Sequence, residues 1–215
     1  MGHPRDAQAH WEDVYRTNAV DEVSWYQDSA DISLRLIGPR PGPSGTGRAV
    51  DVGAGTSPVL DALLAAGWGR VTALDVSATA LDVIRHRVGE HDPRAAYAVS
   101  DVLAWQPDHH YDLWHDRAVL HFLTEPAERS AYVALAARTV APGGALVLGC
   151  FAADGPTRCS GLPTVRRSAD QLASEFGAHF TLETAQTETH HTPTGAAQAF
   201  TWVRLRRTTD TRRTP

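Results

Sequence analysis

The stretch Asp51-Val52-Gly53-Ala54-Gly55-Thr56 decides how the rest of this 215-residue chain reads. An apolar run, 48–53, arrives at an acid and meets two glycines one residue apart. Ser57 and Pro58 follow, a hydroxyl suited to cap a helix and a proline suited to its first position. A helix over 57–66 is therefore expected, and the glycines must turn the chain sharply between strand and helix. Residues with a Cβ resist such turns and keep a ligand away from the backbone.

Working outward, short apolar runs alternate with helical patterns, which is the signature of βαβ units on a parallel sheet. Strands are predicted at 48–53, 70–76, 95–100, 111–116 and 145–151, with helices at 57–66, 77–89 and 126–140. Pro142-Gly143-Gly144 should end the last of these helices and turn it into the next strand. A helix at 168–177 then leads to two runs, 180–185 and 199–205, that read as a closing antiparallel pair. The fold class is α/β: a Rossmann-like single domain, its sheet seven-stranded and mostly parallel with an antiparallel last strand. Upstream, Pro39, Pro41, Gly42, Pro43, Gly45 and Gly47 form a linker. The expected division is 1–47 as helical lid and linker, 48–206 as the binding domain, and 207–215 as a frayed tail.

The second strand, Val71-Thr72-Ala73-Leu74, ends in Asp75, followed by Val76, about 20 residues after Gly55. An acid at that place can take both ribose hydroxyls of an adenosine cofactor. A dinucleotide turn would want a third glycine where Pro58 stands, which counts against NAD. Ser100-Asp101-Val102 closes the third strand, offering a carboxylate to an adenine amino group and an apolar side chain to the ring.

This ordered set resembles the class I methyltransferases that use S-adenosylmethionine (SAM), over about residues 10–206. The resemblance implies that Gly53, Ala54 and Gly55 meet the methionine part of the cofactor. It implies further that Asp51 reaches its amine, that Asp75 with Val76 takes the ribose, and that Asp101 with Val102 takes the adenine. The product would be S-adenosylhomocysteine (SAH). The segment Trp114-His115-Asp116-Arg117-Ala118 resembles the W-D-R-G stretch of thiopurine methyltransferases, with a histidine inserted and no glycine. It is also similar to bacterial class I methyltransferases reading W-H-D-R-A-x-x-H-F-L, akin to a branch with protein lysine methyltransferases. Those proteins share a G-P-x-x-C-S-G-L-P stretch, which here is Gly155 to Pro163.

In methyl transfer the cofactor carries the activation; the protein orients, desolvates and deprotonates the acceptor. Groups at the fourth strand end are placed for this. His115 and Asp116 are the candidate base or orienting groups, with Arg117 paired to an acid; a structural ion pair is the competing reading. His115 is also a candidate cofactor contact. His121 and Cys159 are candidate acceptor contacts, against a buried core histidine and a structural turn. Trp11, Tyr15, Trp25 and Tyr26 could form a lid that excludes water. Of these, Tyr15 and Trp25 are assigned to the cofactor and Tyr26 to the acceptor.

The net charge is −5 and argues against nucleic acid as a partner. All 20 basic residues are arginine, so no lysine chemistry is available. Two cysteines are too few for a disulfide framework, no spacing suits a metal, and no run suits a bilayer. Residues 1–6 lack a secretory layout, so a cytoplasmic monomer or homodimer is expected. The leading expectation is a SAM-dependent methyltransferase acting on a small molecule. Its alternatives are a protein lysine methyltransferase, an NAD-linked oxidoreductase and a non-catalytic SAM-binding regulator.

Overall fold

A computed structural model describes residues 4–39, 42–89 and 91–209. Met1 to His3, Pro41 of the linker and residues 210–215 of the expected tail lie outside the described residues. Two helices, α1 (Pro4–Thr17) and α2 (Asp31–Ile37), precede the sheet. Then come β1 (Arg48–Val52), α3 (Val59–Ala65), β2 (Arg70–Asp75), α4 (Ala78–Val88), β3 (Ala95–Val99) and β4 (Tyr111–Arg117). A short 3₁₀ turn at Leu120–Phe122 leads to α5 (Pro126–Thr139) and β5 (Val140–Phe151). A two-stranded ribbon, β6 (Arg158–Cys159) and β7 (Leu162–Pro163), precedes α6 (Ala169–Phe176), β8 (Phe180–His191) and β9 (Ala197–Arg207).

The main sheet has the order β3-β2-β1-β4-β5-β9-β8. Strands β1 to β5 run parallel, and β9 lies antiparallel to both neighbours, as expected of the fold class. The order reverses between β1 and β4, and the crevice beyond their carboxyl ends is where such sheets bind ligands. Alternation along the strands sends Ala49 and Leu113 to one apolar layer, with α2 and α3. Val50, Val52, Trp114, Leu146 and Leu148 go to the other, with α5 and α6.

Three local expectations need correction. Ser57 does not stand at the cap; Pro58 does, and Ser57 Oγ accepts the Val59 N–H at 3.2 Å. Pro142-Gly143-Gly144 does not end a helix, because α5 stops at Thr139 and the triplet lies inside β5. There Tyr111 pairs with Val140 but Leu113 pairs with Ala145, so the triplet forms an irregular bulge. The closing hairpin is also longer than its apolar runs: β9 continues through Arg206 and Arg207, placing the start of the expected frayed segment in the sheet.

Candidate active site

Parallel pairing of β1 with β4 sets Asp51 directly beside His115 on the sheet face that carries α2. His115 Nδ1 lies 2.6 Å from Asp51 Oδ1, and its Nε2 lies 2.9 Å from Ser33 Oγ on α2. All three residues are buried, and the Trp202 indole stacks on the imidazole. Both nitrogens of His115 are therefore occupied beneath the strand end, leaving neither for an acceptor's proton. Asp51 Oδ2 is buried with no hydrogen-bond partner. A lone carboxylate oxygen of this kind is costly unless a cation or donor completes it.

The glycine turn sits above this acid. Gly53 and Gly55 hold φ of +63° and +51°, and a Cβ on Gly53 would overlap Val119. At Gly55 the missing Cβ lets the Tyr15 hydroxyl of α1 descend onto the turn. Ala54 N–H donates to Leu74 O at 3.0 Å, and Gly55 N–H donates to Asp75 Oδ2 at 2.8 Å. Ser77 N–H donates to Asp75 Oδ1 at 2.9 Å. Each oxygen of Asp75 still has a lone pair for a ribose hydroxyl. Val76 is partly buried beside it. Asp101 lies past β3 with Oδ1 accepting Leu103 N–H at 2.7 Å, and Val102 packs into the core.

Burial pushes the Asp75 carboxyl up to about 6, opposed by the two backbone bonds and assisted by the Asp51 charge. Free aspartate titrates near 4, so between about pH 4 and 6 the folded chain holds the extra proton. That contribution to folding stability therefore declines as pH rises through the window. A ribose held by the carboxylate form would depend on pH the opposite way. Affinity for SAH is expected to fall roughly tenfold between pH 7.5 and pH 5, one unit below the site's own value. Calorimetric titration across that range checks this, and an Asp75→Asn variant should flatten the profile.

Asp116 faces the opposite layer and is fully buried. Its Oδ1 accepts Val119 N–H at 2.8 Å, and its Oδ2 accepts Leu120 N–H at 3.1 Å and the Tyr132 hydroxyl. The carboxylate thus braces the turn after β4, and burial holds it at about 6. Ala118 follows at φ +78°, a conformation that disfavours a side chain.

Arg117 makes no ion pair among the described residues, so the expected acid partner is absent there. Instead its Nη1 donates to Trp25 O at 2.9 Å and its guanidinium lies 4.9 Å from the Phe200 ring centre. His121 is buried between Phe122 and Phe151. Cys159, on β6, is buried, which raises its thiol, while the charge of Arg117 acts against that. Trp25, Tyr15, Trp11 and Phe122 form a cluster of edge-on and tilted rings with centroids 5.2–6.5 Å apart, covering the strand ends. Tyr26 lies apart, donating to Asp28 Oδ1 and lining a surface cleft of about 560 Å³ with His190 and His191.

Sequence reasoning missed the anchor of α1. Glu12 accepts from the Ser77 hydroxyl at 2.7 Å, from Thr79 N–H at 3.3 Å and from the Thr79 hydroxyl. These bonds hold its carboxyl below the ordinary range, the Thr79 hydroxyl contributing most. Ser33 was missed as well, although Ile32, Leu36 and Ile37 around it trace a helical apolar face. Replacing Glu12 with Ala is expected to loosen α1, raising amide exchange over residues 7–17 severalfold while the sheet core stays protected. Unchanged exchange would show that the aromatic cluster alone holds α1.

Residues 49–144 match the methyltransferase-domain family, and no curated protein matches the sequence. The chain as a whole carries the Rossmann-like fold of solved SAM-dependent methyltransferases. One similar solved structure comes from work on the conversion of a disulfide bond into a thioacetal group during echinomycin biosynthesis. It is 23% identical, with TM-score 0.73, covering 95% of this chain and 94% of that one. A second is the Burkholderia thailandensis 1,6-didemethyltoxoflavin-N1-methyltransferase with bound 1,6-didemethyltoxoflavin and SAH. It shows 22% identity, TM-score 0.69 and coverage of 97% and 92%. The N-methyltransferase NodS from Bradyrhizobium japonicum, in complex with SAH, gives 16%, 0.69, and 92% and 98%. No described helix is long and apolar enough to cross a membrane, and no described group of three His, Cys, Asp or Glu could hold a metal.

Proposed function

We propose that the chain transfers a methyl group from SAM to a small-molecule acceptor, with the cofactor held at the β1 and β2 ends. The observation that carries this reading is the buried, unpartnered Asp51 Oδ2 beneath the glycine turn of a matched methyltransferase domain. An ammonium is the complement such an oxygen lacks. His115 and Ser33 then act as positioning residues: they hold Oδ1 and so aim Oδ2. Gly53 and Gly55 keep the backbone bare for the methionine part. Asp75 takes the ribose, with Val76 beside it, and Asp101 and Val102 take the adenine edge and face.

When bound, the cofactor supplies an activated methyl on a sulfonium. An acceptor bringing a lone pair would take that methyl and leave SAH as the by-product. The chain's own contribution is orientation and exclusion of water by Tyr15, Trp11 and Trp25. His115 and Asp116 are fully engaged, so the site favours acceptors that arrive with a lone pair available. The similar methyltransferase solved with bound 1,6-didemethyltoxoflavin supports a small acceptor over a protein one. The described segment before β1 serves as lid and linker, and the sheet from β1 to β9 with its helices as the catalytic domain.

Titration with SAM, SAH and NAD tests the cofactor: the two adenosyl compounds should bind and NAD should not. Binding of NAD alone would overturn the reading. Labelled SAM with thiol, amine and acidic-hydroxyl libraries then tests transfer and identifies the acceptor.

A further inference from the structure

We propose that the ring-lined end of β4 beneath α1 recognises a small aromatic acceptor bearing an anionic oxygen group, which Arg117 and His121 hold. The inference rests on the methyltransferase reading and extends it to the acceptor's chemistry. Arg117 ends β4 with Nε and Nη2 sealed from solvent and without a hydrogen-bond partner. Its third nitrogen is spent on Trp25 O, and its flat face lies on Phe200. Glu188 is the acid whose charge bears on it, yet that carboxylate is bonded to Trp202 Nε1 at 2.7 Å and Gln27 Nε2 at 3.4 Å. A desolvated guanidinium with two empty donor positions is an anion site awaiting its anion. Burial draws the arginine down to about 10, as expected of a cation with no counter-charge in contact.

His121 supplies a further donor. Its Nδ1 accepts Phe151 N–H at 3.4 Å, which places the proton of the neutral ring on Nε2. That Nε2 is also buried and unpartnered. Burial first, and the nearby Arg117 charge second, push the histidine down to about 3, so it stays neutral and cannot serve as a base. Around these donors the walls are rings: Phe122 and Phe151 flank His121, Phe200 touches Phe151, and Trp11 joins Phe122 to Trp25. Donors without acceptors, set among aromatic walls, match an aromatic acid rather than an amine.

The experiment compares benzoate with benzamide and salicylate with salicylamide, titrated by calorimetry and ligand-observed NMR into protein with and without SAH. Each acid should bind at least about tenfold tighter than its amide, the loss expected when a charge-assisted pair goes unmade. Arg117→Gln should erase that preference and leave SAH affinity within about twofold, since the proposed cofactor site lies on Asp51, Asp75 and Asp101 instead. His121→Phe keeps the ring and removes the donor, so it should weaken the acids severalfold and spare the amides; it also serves if the arginine variant fails to fold. Equal binding of acid and amide, a preference that survives Arg117→Gln, or no binding of any of the four at millimolar concentration overturns the proposal. Failure of SAH to bind is a separate result that strikes the cofactor reading, and the acid–amide comparison is then read on the free protein.

Discussion

Asp51→Asn is expected to weaken SAH binding by roughly ten- to hundredfold while leaving the fold intact. The substitution keeps the shape and an oxygen but removes the charge that complements an ammonium. A hydrogen bond to a charged group contributes about 1.5–3 kcal/mol, and each 1.4 kcal/mol is about tenfold in affinity. The amide also disturbs His115, because Oδ1 is 2.6 Å from a nitrogen that now meets a neutral partner. The discriminating control is 5′-methylthioadenosine, which carries the nucleoside and sulfur without the amino-acid part. Its affinity should change little in Asp51→Asn, and an equal loss for both ligands would mean that the turn itself had collapsed. An unchanged SAH affinity would remove Asp51 from the cofactor site.

The second large effect is on stability. Trp114→Ala is expected to cost about 3–5 kcal/mol, the range for deleting a fully buried aromatic side chain. For a domain of this size that is roughly 6–20 °C in melting temperature. Trp114 is among the largest fully buried side chains, in the layer between the sheet and α5. Its Nε1 donates to the Tyr132 hydroxyl at 2.9 Å, and that hydroxyl donates in turn to Asp116. The substitution therefore opens a cavity and unseats the group that braces the turn after β4. Trp114→Phe, which loses the donor and part of the volume, should lie well below the alanine value. Urea unfolding followed by far-ultraviolet dichroism measures both; a cost under about 1 kcal/mol for alanine would mean that the layer repacks.

Much of the frame was legible because strands buried on both faces appear as uninterrupted apolar runs, and Ala145 to Leu148 is such a run. The glycine turn was legible because a positive φ at Gly53 and Gly55 narrows the choice of residue. What escaped was determined by tertiary register. Nothing in the spacing of Asp51 and His115, 64 residues apart, announces that they become cross-strand neighbours. His115 and Asp116 are adjacent and both polar, yet the pleat sends them to opposite layers with different partners. The proline–glycine triplet at 142–144 misled for a related reason: a bulge inside a strand uses the same residues as a helix stop. Helix α2 is only seven residues, too short for a firm periodic signal.

Ser77 joins two parts of the molecule that have been treated separately. Its backbone N–H holds Asp75, and its hydroxyl, pointing the other way, holds Glu12 on α1. A nucleoside on Asp75 and a guest under α1 would thus each bear on an element bonded to Ser77. Any coupling between the two occupancies through Ser77 would be reciprocal: whatever factor the nucleoside added to affinity beneath α1, the guest there would return to the nucleoside.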